Sequence, residues 1–227
     1  MPKIYRDKNV YEAAMERYDI IYKNFDHIYF SVSGGKDSSI MLQLAADAAR
    51  RTGKKISVLY IDLEAQYQAT IDHVDELIRC TADVVDAWYW VAMPLSLRNA
   101  ASAIRPKWIC WDKKQKEKWV RPLPDREDVI MITEDSYPKE WTWFRRGMEF
   151  EEFILFFAQW FCTARKGTAA AGIGIRSDES LNRFRTIISS SKERFQDYPW
   201  TTRVKIHDKP IDCYNFRSEE HTSELQS

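Results

Sequence analysis

A chain of 227 residues, 44% hydrophobic and 14% aromatic, is long enough for one large domain or two small ones and apolar enough to bury a core, which excludes a disordered chain. Its 34 Lys and Arg balance 34 Asp and Glu, so no net charge draws it to nucleic acid or an anionic surface. No run approaches the roughly 20 apolar residues of a membrane span, and Cys80, Cys110, Cys162 and Cys213 form no C-x-x-C pair, which argues against a zinc ribbon or Fe–S cluster.

Along the chain, helices alternate with short apolar strands. Val10 to Asn24 carries apolar residues at helical spacing, and His27 to Val32 (HIYFSV) reads as a strand. A helix is predicted over Ser38 to Arg51, a strand over Ile56 to Ile61 (ISVLYI), a helix over Gln66 to Arg79 and a strand over Val84 to Ala92. The rhythm breaks between residues 105 and 147, where "RPKWICWDKKQKEKWVRPLPDRED" mixes Trp, Lys and Pro; an inserted Trp/Lys-rich subdomain is expected there. It resumes with a helix over Met148 to Ala164, a strand over Thr168 to Ile175 and a helix over Asp178 to Ser189. Strands separated by helices predict an α/β fold, a Rossmann-like, doubly wound and mainly parallel sheet.

Between the first strand and the second helix lies SVSGGKDSSIM, which holds two of only seven glycines. The carboxyl end of a strand in an open α/β sheet is where ligands bind. Gly34 and Gly35 permit backbone angles closed to other residues and let an anion approach the amides. Ser38 and Ser39 fall in the first helical turn, Lys36 adds a cation, and Asp37 is placed to orient the loop or hold Mg²⁺. Neither G-x-x-x-x-G-K-[ST] nor G-x-G-x-x-G is present, so the cradle is of another kind.

S-x-S-G-G-K-D-S-S, here Ser31, Ser33, Gly34, Gly35, Lys36, Asp37, Ser38 and Ser39, resembles the pyrophosphate loop of the adenine nucleotide α-hydrolase (PP-loop ATP pyrophosphatase) superfamily. "LYIDLEAQYQATIDHVDEL", "WYWVAMPLSLRNAAS", "PKWICWD" and "GIRSDESLNRFRTI" resemble successive blocks of one branch, the phosphoadenosine phosphosulfate (PAPS) reductase-like family of phage and bacterial proteins that includes the immunoglobulin-binding regulator A type. The resemblance covers about Val10 to Phe216. It implies binding of ATP or a PAPS-like adenylyl nucleotide with Mg²⁺, and attack at the α-phosphate with release of pyrophosphate. It also implies that the segment at Gly174 and Arg176 reaches the nucleotide.

Other residues carry weaker signals. Asp62 follows the second strand at the same sheet edge, suited to a hydroxyl, a metal-bound water or Mg²⁺, or equally to capping the next helix. Arg176, Ser180 and Arg183 form a helix-spaced set for a second oxyanion, or else a surface ion-pair helix with Glu179. Arg98 is placed either for substrate or for an acidic neighbour. Trp108, Trp111 and Trp119 among lysines suit nucleic acid or, more simply, inward packing. The cysteines and His27, His73 and His207 read as structural. The tail RSEEHTSELQS (217–227) is expected to be non-native and adapter-derived, and the natural domain (1–216) to continue beyond it.

The expected function is therefore a cytoplasmic PP-loop enzyme that transfers an adenylyl group, with Lys36 and Arg176 acting on the phosphates and Asp37, with Asp62, placing Mg²⁺. Two alternatives stand beside it. One is a sulfonucleotide reductase whose cysteine lies further on; the other is a nucleotide-sensing regulator or DNA-modification partner working with a ParB-like protein.

Overall fold

A computed structural model of the chain describes residues 8–98, 107–174 and 193–217. Helix α1 (Val10–Asn24) starts at a capping box, in which Asn9 accepts from the Glu12 N–H at 2.8 Å and Glu12 accepts from the Asn9 N–H at 3.2 Å. Strand β1 (His27–Val32) follows, then α2 (Lys36–Thr52), β2 (Ile56–Ile61), α3 (Gln68–Thr81) and β3 (Val85–Ala92). Next come the short strands β4 (Ser96–Arg98), β5 (Lys107–Ile109) and β6 (Ile130–Thr133), then α4 (Phe150–Arg165) and β7 (Ala169–Ile173). Strands β8 (Thr201–Ile206) and β9 (Lys209–Phe216) end the described part. Two boundaries shift in a way that matters: α2 begins at Lys36, inside the glycine loop, and α3 begins two residues late, after a turn at Glu64.

Seven strands form one sheet in the order β6-β3-β2-β1-β7-β9-β8, parallel throughout except for the β8–β9 pair. The chain steps outward from β1 through β2 and β3 to β6, then crosses back to lay β7 on the other side of β1. Strand order therefore reverses between β1 and β7, and the crevice outside their carboxyl ends is where such sheets take ligands.

Alternation along β1 sorts the core into two layers. Phe30 faces Tyr18 of α1 and Phe216 of β9, whereas Tyr29 faces Phe157 and Phe161 of α4. The first layer is tied further by Tyr18 and Tyr22, whose hydroxyls donate to the Met41 and Ala45 carbonyls of α2 at 2.9 and 2.7 Å. Small residues in β7 make room for these rings: a Cβ on Gly172 would lie 2.3 Å from Phe30 Cδ1. The "AAAG" run is a packing requirement.

Two parts of the sheet lie outside the expected pattern. Strand β6, within the 105–147 segment, pairs in parallel with β3 from Tyr89↔Ile130 to Ala92↔Thr133, so that segment supplies an edge strand of the main sheet. The β8–β9 hairpin turns at His207 and Asp208, both at positive φ, the geometry that matches a twisted two-residue turn. Arg217, the first residue of the tail expected to be non-native, donates its N–H to the Trp200 carbonyl at 3.1 Å. Residues 218–227 and the predicted helix from Asp178 to Ser189 lie outside the described residues.

Candidate functional site

The candidate site starts at the carboxyl end of β1, with Ser31 in register between Leu59 of β2 and Ile173 of β7. Gly34 has φ +76°, and a Cβ there would meet Thr70 Cγ2 at 2.7 Å and Val74 Cγ2 at 3.0 Å, so only glycine fits between the loop and α3. Gly35 differs from expectation. It caps α2 in an extended conformation that any residue adopts, and a Cβ would make only an ordinary contact, 3.4 Å from Ser33 Oγ. Its absence keeps the amides of the turn uncovered.

The serines of the loop, in the first turn of α2 as expected, point inward. Ser38 and Ser39 are buried, and both hydroxyls donate to the Gly35 carbonyl at 2.9 Å. Ser38 Oγ also accepts from the Ser33 N–H at 3.2 Å. These bonds fold the turn back on itself and leave the first N–H groups of α2 without a side-chain cap. Lys36 is exposed beside them and makes no ion pair among the described residues; Asp37 is half-buried.

Gly174 closes the other side. A Cβ there would sit 3.1 Å from Ser38 Cα and 3.2 Å from Ser38 N, so the end of β7 presses directly on the first turn of α2. The expected partners Arg176, Ser180 and Arg183 lie outside the described residues. His73, read from the sequence as structural, packs against the loop. Its Nε2 is 2.8 Å from Ser39 Oγ, and Nδ1 is 3.6 Å from Glu76. The loop is thus braced from α3 at Gly34 and at Ser39.

Asp62 corrects the expectation most clearly. It is fully buried, with Oδ1 accepting from the Glu64 N–H at 2.9 Å and from Arg121, and Oδ2 accepting from Trp90 Nε1 at 2.8 Å. Arg121 stacks on Trp111, 5.0 Å from the ring centroid, and Trp111 Nε1 donates to the Asp62 carbonyl at 2.8 Å. Glu64, at φ 64°, accepts from the Trp111 N–H at 2.6 Å. A carboxylate so saturated presents nothing to a ribose or a metal ion.

Mg²⁺ therefore does not fit a site built from Asp37 and Asp62 together. No group of three His, Cys, Asp or Glu suited to a metal occurs among the described residues. Of the cysteines, Cys80 is exposed and Cys110, Cys162 and Cys213 are buried. Burial pushes the Cys110 thiol up to about 12, which keeps it protonated and inert. No described helix is long and apolar enough to cross a membrane.

The tryptophans of the 105–147 segment turn inward. Trp111 is buried, and Trp119 packs edge-on against it at 5.1 Å while donating Nε1 to the Asp112 carbonyl at 3.1 Å. Lys113, Lys114, Lys116 and Lys118 stay exposed on a 3-10 turn. The rings of Trp111 and Trp119 are thereby spent on the fold.

Comparison with known proteins points the same way as the loop. Residues 27–84, which span β1, the glycine loop, α2, β2 and α3, match the family model described as phosphoadenosine phosphosulfate reductase domain. The uncharacterized protein YbdN of Escherichia coli (strain K12) is 45% identical over 195 residues, which cover 86% of this chain and 45% of that protein. The chain spans somewhat under half the length of the curated relative it matches. Sheet order and flanking helices give an α/β Rossmann-like fold consistent with the adenine nucleotide α-hydrolase type, and the match of residues 27–84 fits the PAPS reductase-like family.

Proposed function

We propose that the chain binds ATP, or a related adenylyl nucleotide, with its phosphates on the turn from Ser33 to Ser39, and that it acts at the α-phosphate with release of pyrophosphate. The observation that supports this most is the open first turn of α2 at the strand-order reversal, with Gly34 and Gly174 stripped to backbone on either side. The uncovered N–H groups and helix dipole would hold the leaving pyrophosphate, and Lys36 would neutralise charge developing on it. Ser38 and Ser39 would serve by shaping the turn. Asp37 would orient the loop or hold Mg²⁺, and Arg176 would complete the phosphate contacts. Catalysis here is positioning and electrostatics, with no side-chain nucleophile. The finer reading places the chain in the immunoglobulin-binding regulator A-like branch, in the cytoplasm, with a ParB-like protein as partner.

A second reading has one observation in its favour, the match of residues 27–84 to a PAPS reductase domain. Reduction of a sulfonucleotide would need an accessible thiolate near the loop; Cys110, Cys162 and Cys213 are buried, so in this reading the thiolate comes from a residue beyond these.

The test is ATP labelled at the α-phosphate, supplied with Mg²⁺. Labelled AMP or an AMP adduct is expected, and Lys36→Ala should lower ATP affinity about tenfold while leaving the melting temperature unchanged. ADP as sole labelled product would refute the reading.

A further inference from the structure

Helix α3 packs on the glycine loop with one face. Thr70 Cγ2 and Val74 Cγ2 would lie 2.7 and 3.0 Å from a Cβ at Gly34, and His73 Nε2 lies 2.8 Å from Ser39 Oγ. Thr70, His73 and Val74 fall at i, i+3 and i+4, the spacing that brings side chains together on a helix surface. Thr70 and Val74 supply bulk against the loop backbone. His73 supplies a titratable ring, and its side chain is 37% exposed, so water reaches it although the hydroxyl it touches is buried.

The Gly35 carbonyl is the acceptor at the centre of the turn. It takes the Ser39 N–H at 3.0 Å and the Ser38 hydroxyl at 2.9 Å, and the Ser39 hydroxyl lies within reach of it, also at 2.9 Å. A hydroxyl has one hydrogen to give, so Ser39 donates either to that carbonyl or to the ring. A neutral imidazole with Nε2 bare takes it. An imidazolium cannot, because both its nitrogens donate; it presents Nε2–H to Ser39 Oγ and leaves the hydroxyl's hydrogen to the Gly35 carbonyl. Among the described residues, the charged groups around the ring are Glu76 on its own helix, whose Oε2 is 3.6 Å from Nδ1, and Lys36 and Asp37 in the first turn of α2. Asp72, next to His73, accepts instead from Gln68 at 2.8 Å. Lys36 stands three residues before Ser39 and so on the same face of α2. Ser39 itself is one turn in from Gly35, about 5 Å along the axis, so charge on the ring acts on an anion seated at the open amides.

We infer that His73 is a positioning residue of the phosphate turn and ties anion binding there to pH. With the ring protonated, the Ser39 hydroxyl is fixed on the Gly35 carbonyl and a positive charge stands one turn behind the open amides. Phosphate is then held more tightly on the acid side of neutrality, where an imidazole carries its charge. The place of the anion rests on the nucleotide reading above. His73 acts through Ser39 and through its charge, and it makes or breaks no covalent bond.

The experiment titrates inorganic pyrophosphate into the parent and into His73→Gln at constant ionic strength, from about pH 5.5 to about pH 8, the range in which imidazole titrates. The ratio of the two affinities at each pH cancels the protonation of pyrophosphate itself and of the histidines common to both proteins. On going from the alkaline to the acid end, that ratio should rise about fivefold in favour of the parent. A brace that only holds the loop would give a ratio independent of pH, so a flat ratio, or one that falls on the acid side, would overturn the inference. A second measurement needs no variant to fold: saturating pyrophosphate should move the midpoint of the His73 ring titration upward, followed by its NMR signal, because binding and protonation are reciprocal. An unmoved midpoint would overturn the inference equally. Pyrophosphate that binds with a flat ratio leaves the nucleotide reading standing, whereas no binding to the parent at any pH overturns the coupling and that reading together.

Discussion

Two turns leave adjacent strands at the same edge of the sheet and meet opposite fates. The turn after β1 is made of glycine and serine, and its hydrogen bonds run inward to the Gly35 carbonyl, so its amides stay open. The turn after β2 carries two carboxylates, the more reactive groups on paper, and both are buried under the 111–121 segment. Chemical potency and availability are thus separated. A charged side chain at the right edge of the sheet is a site only if the rest of the chain leaves it unpaired; here the protein's own arginine and tryptophans occupy the place a ligand would take.

The sharpest way to break that contrast is Asp62→Ala. It leaves Arg121, Trp90 Nε1 and the Glu64 N–H without their acceptor in a sealed interior, at a cost of about 3–5 kcal/mol. Urea denaturation should report this loss, and Asp62→Ala combined with Arg121→Met should recover part of it. Pyrophosphate affinity of the folded variant should stay within about twofold of the parent. A variant of normal stability that no longer binds pyrophosphate would merge the two turns into one site.

A somewhat smaller effect is expected at the open turn. Gly34→Ala places a methyl at positive φ and against Thr70, and should cost about 2–3 kcal/mol, with pyrophosphate affinity down more than tenfold. Gly35→Ala, one residue later, meets neither obstacle and should change stability by less than about 0.5 kcal/mol. If the two variants behave alike in denaturation and in pyrophosphate titration, the distinction drawn between the glycines is wrong.

What the sequence disclosed follows the same division. Strands β1 and β2 and helix α1 were readable to the residue, because buried parallel strands are continuous apolar runs and α1 has one unbroken stripe. The loop was readable because Gly-Gly-Lys between a strand and a helix has few structural uses. Strand β6 was not: "IMIT" is four residues long, sits among Pro, Asp and Glu, and owes its place to a partner far away in sequence. The β8–β9 hairpin was missed because its turn is His-Asp, with no glycine to mark the positive φ values. Asp62 misled for a related reason. Its burial depends on Arg121, 59 residues on, and no local pattern announces that pairing. His73 became visible only through Ser39, across two helices.

The smallest expected effect concerns acid. Asp112 is buried at the base of the covering segment; burial alone would raise its pKa, but the hydrogen bond and charge of Arg146, together with the Lys114 N–H at 2.8 Å, outweigh burial and hold it below the usual carboxylate range. A carboxyl depressed on folding adds stability that is fully present above the unfolded value, about 3.9, and is lost as pH falls through the folded one. The segment over the β2 turn should therefore loosen below about pH 4, and Arg146→Met should flatten that part of the stability-against-pH curve. Because Asp112 lies in the covering segment beside Trp111 and Arg146 pairs with it, the flattening should appear in Trp111 and Trp119 fluorescence. Pyrophosphate affinity, read at the open turn, should be the same in the variant and the parent at neutral pH. An unchanged acid limb in the variant would mean that other carboxylates carry it, and that the Asp112–Arg146 pair does not hold the cover in place.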